Sequence, residues 1–137
     1  NTENLKSFYD KKKVKNKIFN FEKNFISLIK ESDLCITRAG ASSLAEISIM
    51  NKPFIAIPLP TAKDNHQMEN AKFYDNKGCC WVLNQKTLNK KKLINILSNI
   101  LKNNSDYNSK KINLKKLNYQ NSWNDVNQKI KKIINEN

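Results

Sequence analysis

Short apolar runs alternate with longer stretches of helical spacing along most of this chain. Residues 17–21 (Lys-Ile-Phe-Asn-Phe), 33–38, 54–58 (Phe-Ile-Ala-Ile-Pro) and 79–83 read as strands. Two of them are nearly continuous in apolar residues, as expected of strands covered on both faces. Helical spacing predicts helices at about 3–12, 24–31, 43–50 and 65–77, with Gly78 placed to end the last of these. After Asn84 the pattern is helical only. Leu88, Leu93, Ile94, Leu97, Ile100 and Leu101 form one apolar stripe, and Trp123, Val126, Ile130, Ile133 and Ile134 form another. Residues 103–121 are polar and are expected to begin with a loop. Strand–helix alternation of this kind predicts an α/β fold, a Rossmann-like parallel sheet with flanking helices and a helical tail over about 86–137.

The length of 137 residues suits one domain, which would bury roughly two-thirds of its unfolded surface. No apolar run is long enough to predict a membrane-spanning helix. The net charge is +13, yet Arg38 is the only arginine, and the lysine excess is accompanied by 23 asparagines and 15 isoleucines. Joint enrichment in Lys, Asn and Ile is what AT-rich coding produces, so part of the basicity reflects mutational bias. Residues 85–137 carry +9 and residues 1–84 carry +4. A basic half suits an anionic membrane surface or nucleic acid. Specific base contacts rely mostly on arginine, which argues against nucleic acid. Cys35, Cys79 and Cys80 read as small buried strand residues in a reducing compartment, and with one histidine and no CxxC no zinc site is expected.

In open parallel sheets ligands sit beyond the carboxyl ends of the strands. Two such segments are informative. The first is Arg38-Ala39-Gly40-Ala41-Ser42-Ser43-Leu44-Ala45-Glu46, a strand end, a small-residue turn and a helix start. Small side chains let backbone N–H groups approach a phosphate at the positive end of that helix. Glu46 has two oxygens to offer two sugar hydroxyls. Ser43-x-x-Glu46 also reads as a capping box, and both readings stand at this point. The second segment runs from Pro58 to Ala71 and includes Asp64-Asn65-His66-Gln67 and Asn70. His66, Gln67 and Asn70 share a helix face near its start, and amides suit neutral sugar hydroxyls. Asp64-x-x-Gln67 is again a possible capping box. No GxGxxG, GxSxG elbow or paired carboxylates accompany these segments.

Taken together, Arg38–Glu46 and Lys52-Pro53-Phe54-Ile55-Ala56-Ile57-Pro58 through Asp64-Asn65-His66-Gln67-x-x-Asn70-Ala71 resemble the MurG family of bacterial N-acetylglucosaminyltransferases. The strong likeness covers about residues 33–84. It implies the carboxy-terminal, donor-binding half of a GT-B enzyme, an inverting reaction and UDP-N-acetylglucosamine as donor. The acceptor it implies is undecaprenyl-pyrophosphoryl-muramoyl-pentapeptide, bound through an amino-terminal domain. By resemblance, Gly40, Ala41, Ser42, Ser43, Leu44 and Ala45 line the donor, Glu46 holds the ribose, and Gln67 with His66 and Asn70 holds N-acetylglucosamine. The backbone at Phe21-Glu22 aligns with the uracil contact, and Arg38 shapes the loop. The resemblance implies no cofactor and no metal, no nucleic-acid partner, and peripheral attachment at the cytoplasmic face of the inner membrane. It also implies a chain that starts inside the second half of such an enzyme, after the glycine-serine phosphate loop and first strand. The alternatives are the donor-binding subunit of another lipid-linked N-acetylglucosamine transferase, such as the dolichol-linked one, and a basic non-catalytic interaction module.

Overall fold

The computed structural model describes residues 2–120 together with 128, 131 and 132. Three strands, β1 (Cys35–Thr37), β2 (Phe54–Ala56) and β3 (Cys80–Val82), form a parallel sheet in the order β1-β2-β3. Cys35 lies opposite Phe54, and Phe54 opposite Cys80. Helices α1 (Thr2–Lys11) and α2 (Phe25–Glu31) precede β1, and α3 (Ala41–Ile49) and α4 (His66–Asp75) make the two crossovers. Helices α5 (Lys90–Lys102) and α6 (Asn104–Gln120) follow β3. One strand per helix in sequential order is the parallel arrangement that the alternation predicts.

The middle strand sets the core. Phe54, Ile55 and Ala56 are all buried, which requires cover on both faces of the sheet. On one face, Phe54 and Ala56 pack with Ile29 of α2, Leu44 and Ile47 of α3, Ala71 of α4, and Leu114 and Leu117 of α6. Phe54 also meets Tyr74 edge-on, with ring centroids 5.4 Å apart. Both crossover helices close the same way. After α3, Asn51 takes a left-handed φ of 54°, and the Lys52 N–H reaches back to the Ile47 carbonyl. After α4, Gly78 has φ 63°, and the Cys79 N–H bonds the Tyr74 carbonyl. This is a helix closure that favours Gly or Asn, as expected at Gly78.

Three expectations need correction. Residues 17–21 form no strand. A strand needs a neighbour for its backbone groups, and this segment has none among the described residues; Phe19 and Phe21 are 40% and 79% exposed. Extended patterning alone therefore does not bring 17–21 to β1. Second, the loop expected to open residues 103–121 is Asn103 alone, and residues 104–120 run on as helix within the expected helical tail. The Asn103 side chain starts it by accepting from the Ser105 N–H at 3.1 Å and from the Ser105 hydroxyl at 2.9 Å. Third, α3 begins at Ala41, two residues earlier than expected. The stripe Trp123, Val126, Ile130, Ile133 and Ile134 lies outside the described residues.

Helix α6 pins the scaffold through side chains. Asn118 donates to the Ser48 carbonyl (2.6 Å) and to Asn51 Oδ1 (2.9 Å), and its own oxygen accepts from the buried Ser48 hydroxyl. Tyr107 donates to the Asp33 carbonyl, and Asn113 to the Gly78 carbonyl. Trp81 of β3 donates to Asp106, while Lys110 sits 4.7 Å above the Trp81 ring. These polar bonds fasten the helix alongside Leu114 and Leu117, which are buried in the core.

Candidate functional site

The carboxyl ends of the three strands carry the loops 38–40, 57–65 and 83–87. Gly40 is the N-cap of α3, with φ −68° and ψ 137°, and its carbonyl accepts the Leu44 N–H at 3.0 Å. No side chain caps the helix. The N–H groups of Ala41, Ser42 and Ser43 therefore face outward from the first turn with no intrahelical acceptor. Ser43 is the third helical residue and Glu46 the sixth, so the capping-box reading of Ser43-x-x-Glu46 is overturned. Glu46 and Ser42, four residues apart, share an exposed face.

Gly40 has a backbone conformation open to any residue, and a Cβ built there meets nothing nearer than Ser43 Oγ at 3.9 Å. The protein's own structure makes no demand for glycine here. What the missing side chain leaves is access to the open helix start. Leu44 is different: its side chain is fully buried and its N–H is already bonded. It seats α3 on the core from beneath the site, and Ala45 beside it is half-buried.

Gln67 and Asn70 meet this turn from α4. The Gln67 Oε1 accepts from the Leu59 N–H at 2.9 Å and the Ala39 N–H at 3.3 Å. Asn70 Nδ2 donates to the Ala39 carbonyl at 3.0 Å. Both peptide groups of the fully buried Ala39 are thus held by amide side chains. The capping-box reading of Asp64-x-x-Gln67 is overturned as well, because Asn65 is the N-cap and no side-chain bond caps α4. Asp64 and Asn65 both adopt left-handed backbone, with φ 50° and 54°. Two consecutive non-glycine residues in that region store strain of a kind found at functional loops. His66 Nδ1 lies 2.6 Å from the Lys63 carbonyl. A carbonyl only accepts, so Nδ1 carries a proton there, and Nε2 is the ring nitrogen left for a ligand.

Arg38 donates from Nη1 to the Ile57 carbonyl at 3.2 Å and to Gln85 Oε1. Its guanidinium ties the loops after all three strands. Gln85 escaped the sequence reading; its position directly after a strand, like those of Arg38 and Ile57, is the signal that would have found it. Glu22 is not brought into this cluster. Its carboxylate accepts the Asn24 N–H at 3.0 Å in the turn before α2, and no hydrogen bond among the described residues links it to Arg38–Glu46 or His66–Asn70.

Two cavities flank these loops. One of about 220 Å³ is lined by Pro58, Leu59, Pro60, Asn65, Met68, Asn84 and Lys86. Another of about 310 Å³ includes Thr37, Arg38, Ile57 and Gln85. A larger, more apolar groove of about 400 Å³ lies by Asp33, Leu34 and α5, at the amino end of β1. Ligands of open α/β sheets bind at the opposite, carboxyl ends. The groups with shifted ionisation also lie away from the site: burial is the main cause that pushes up Tyr74, Cys79, Cys80 and Tyr107. Among the described residues no cluster of three or more His, Cys, Asp or Glu could hold a metal ion, and no helix is long and apolar enough to cross a membrane.

Comparison with known proteins bears on this arrangement. Residues 1–131 match the model of the glycosyltransferase family 28 C-terminal domain. The chain is 50% identical over its whole length to the UDP-N-acetylglucosamine–N-acetylmuramyl-(pentapeptide) pyrophosphoryl-undecaprenol N-acetylglucosamine transferase of Pelagibacter ubique (strain HTCC1062), of which it covers 38%. It is 37% identical over 99 residues to the enzyme of the same name from Rickettsia massiliae (strain Mtu5), covering 72% of this chain and 26% of that one. The fold superposes on a crystal structure of Acinetobacter baumannii MurG with a TM-score of 0.71 at 26% identity, covering 84% of this chain and 33% of the other. The chain therefore spans well under half the length of these relatives. With the parallel sheet and the open helix start already in place, the match across nearly every residue identifies the chain as a member of glycosyltransferase family 28, in its C-terminal domain.

Proposed function

We propose that this chain is the donor-binding part of an inverting glycosyltransferase. It would move N-acetylglucosamine from UDP-N-acetylglucosamine to undecaprenyl-pyrophosphoryl-muramoyl-pentapeptide, the lipid I to lipid II step of peptidoglycan synthesis. The observation that carries the reading is the uncapped start of α3 beside Gly40. It occurs in a chain half identical to an enzyme named for that transfer.

In this reading the donor diphosphate lies against Gly40–Ser43. Free N–H groups and the helix dipole meet its charge. The exposed carboxylate of Glu46 accepts from the ribose hydroxyls. His66 Nε2, Gln67 Nε2 and Asn70 Oδ1, which make no protein hydrogen bond among the described residues, face the N-acetylglucosamine hydroxyls. Backbone at Phe21-Glu22 takes the uracil. The acceptor hydroxyl attacks the anomeric carbon on the face opposite the diphosphate, the bond from that carbon to the diphosphate oxygen breaks, and UDP leaves with the electron pair. Donors fixed before the reaction stabilise the charge that develops on the leaving group. The acceptor, its general base and the amino-terminal domain are supplied outside these residues. The +9 charge of residues 85–137 supports peripheral attachment to an anionic membrane at the cytoplasmic face.

The test is transfer by the complete natural protein. Labelled UDP-N-acetylglucosamine and a lipid-linked muramoyl-pentapeptide should yield labelled lipid product, and absence of product with a soluble, folded enzyme would overturn the proposal. Co-sedimentation with anionic vesicles at low salt tests the membrane part; protein left in the supernatant contradicts it.

A further inference from the structure

The geometry points to Gln67 and Asn70 as positioning residues that set the diphosphate-facing turn, in addition to any contact with the sugar. This rests on the donor-site reading above. The two amides are each half spent on the backbone. One Gln67 oxygen bridges the N–H groups of Leu59 and Ala39, joining the loops after β2 and β1. The Asn70 NH₂ group holds the carbonyl of the same Ala39. Ala39 has its side chain in the core, so its two peptide planes are fixed from α4 and its Cβ from within. The next residue, Gly40, is the N-cap whose placement decides where the N–H groups of Ala41, Ser42 and Ser43 point. From within β1 the Thr37 hydroxyl also holds the Arg38 carbonyl at 2.9 Å, but no side chain of another element besides Gln67 and Asn70 clamps this turn among the described residues: α3 has no capping bond, and Arg38 reaches out to Ile57 and Gln85. A donor array stabilises a diphosphate only if it is held in place before the ligand arrives.

A pure sugar contact and a positioning role predict different ligand dependence. UDP carries the diphosphate and no N-acetylglucosamine. The complete natural protein and its Gln67→Met and Asn70→Ala variants would be titrated calorimetrically with UDP and with UDP-N-acetylglucosamine. Thermal melts would set a working temperature well below unfolding. Gln67→Met keeps the length and packing of the side chain while removing its acceptor. If the amides position the turn, each variant binds UDP about ten-fold more weakly, the scale of one lost hydrogen bond to a preorganised site. A folded variant that binds UDP normally and loses affinity only for UDP-N-acetylglucosamine overturns the proposal and leaves the donor site standing. Failure of the unmodified protein to bind UDP overturns the donor-site reading, and this inference with it.

Discussion

Glu46→Ala separates ligand binding from stability. The carboxylate lies on the exposed face of α3, at its sixth position, where it caps nothing. Its removal exchanges an exposed residue for the best helix former, so stability should change by no more than about 0.5 kcal/mol. Binding is another matter. Two charge-assisted bonds to ribose hydroxyls are worth about 1.5–3 kcal/mol each before water competes. A net loss of roughly 10- to 100-fold in affinity for UDP-N-acetylglucosamine is expected, or about 1.4–2.8 kcal/mol. Glu46→Gln keeps one acceptor oxygen and should lose less. The assay is calorimetric titration of the complete protein and both variants with UDP and with 2′-deoxy-UDP. The unmodified protein should prefer the ribose form, and Glu46→Ala should bind both alike. Normal affinity in Glu46→Ala, or an undiminished preference for the ribose form, would refute the reasoning.

Gly40→Ala should leave the melting temperature almost unchanged, since its backbone is ordinary and its surroundings are open, yet weaken UDP binding about ten-fold by crowding the helix start; unchanged binding would show that no ligand approaches there. Asn118→Ala removes three bonds between α6 and the end of α3 and should cost about 1–3 kcal/mol in a denaturant melt. Burial, with Asp75 adding to it, pushes the Cys80 thiol up from 9.0 to about 12. The folded state thus holds this proton more tightly than the unfolded state, so the stability Cys80 contributes is full below pH 9.0 and is lost as pH rises toward about 12. Melts across that range should fall less steeply for Cys80→Ala, and parallel slopes would contradict the assignment.

Much of the architecture was legible in the order of elements, for physical reasons. The run Phe54–Ile57 has no polar position, which only a strand covered on both faces tolerates, and it is the central strand. Gly78 ends α4 with the positive φ that its residue type allows. Residues 17–21 misled because alternation specifies extended backbone, while sheet membership depends on a partner. Helix α6 falls within the expected helical tail, but the grip of Asn113 and Asn118 was not legible, because their hydrogen bonds to carbonyls leave no trace in hydrophobic spacing. In the site, the positions of Gly40, Glu46, Gln67 and Asn70 could be read from strand–loop–helix order. The helix start at Ala41 could not, since Ser42 and Ser43 are better capping types than Gly40. Nor could the grip of Gln67 on Ala39, a contact between residues 28 positions apart.

The central claim is that the open first turn of α3 receives the donor diphosphate. Amide resonances of the isotope-labelled complete protein, followed during titration with UDP-N-acetylglucosamine, test it most directly. The account predicts saturable shifts led by the N–H groups of Ala41, Ser42 and Ser43, with Ala39 and Leu59 moving alongside. Shifts confined to the apolar groove beside Leu97 and Tyr107, or to the lysine-rich face of α5, would contradict it.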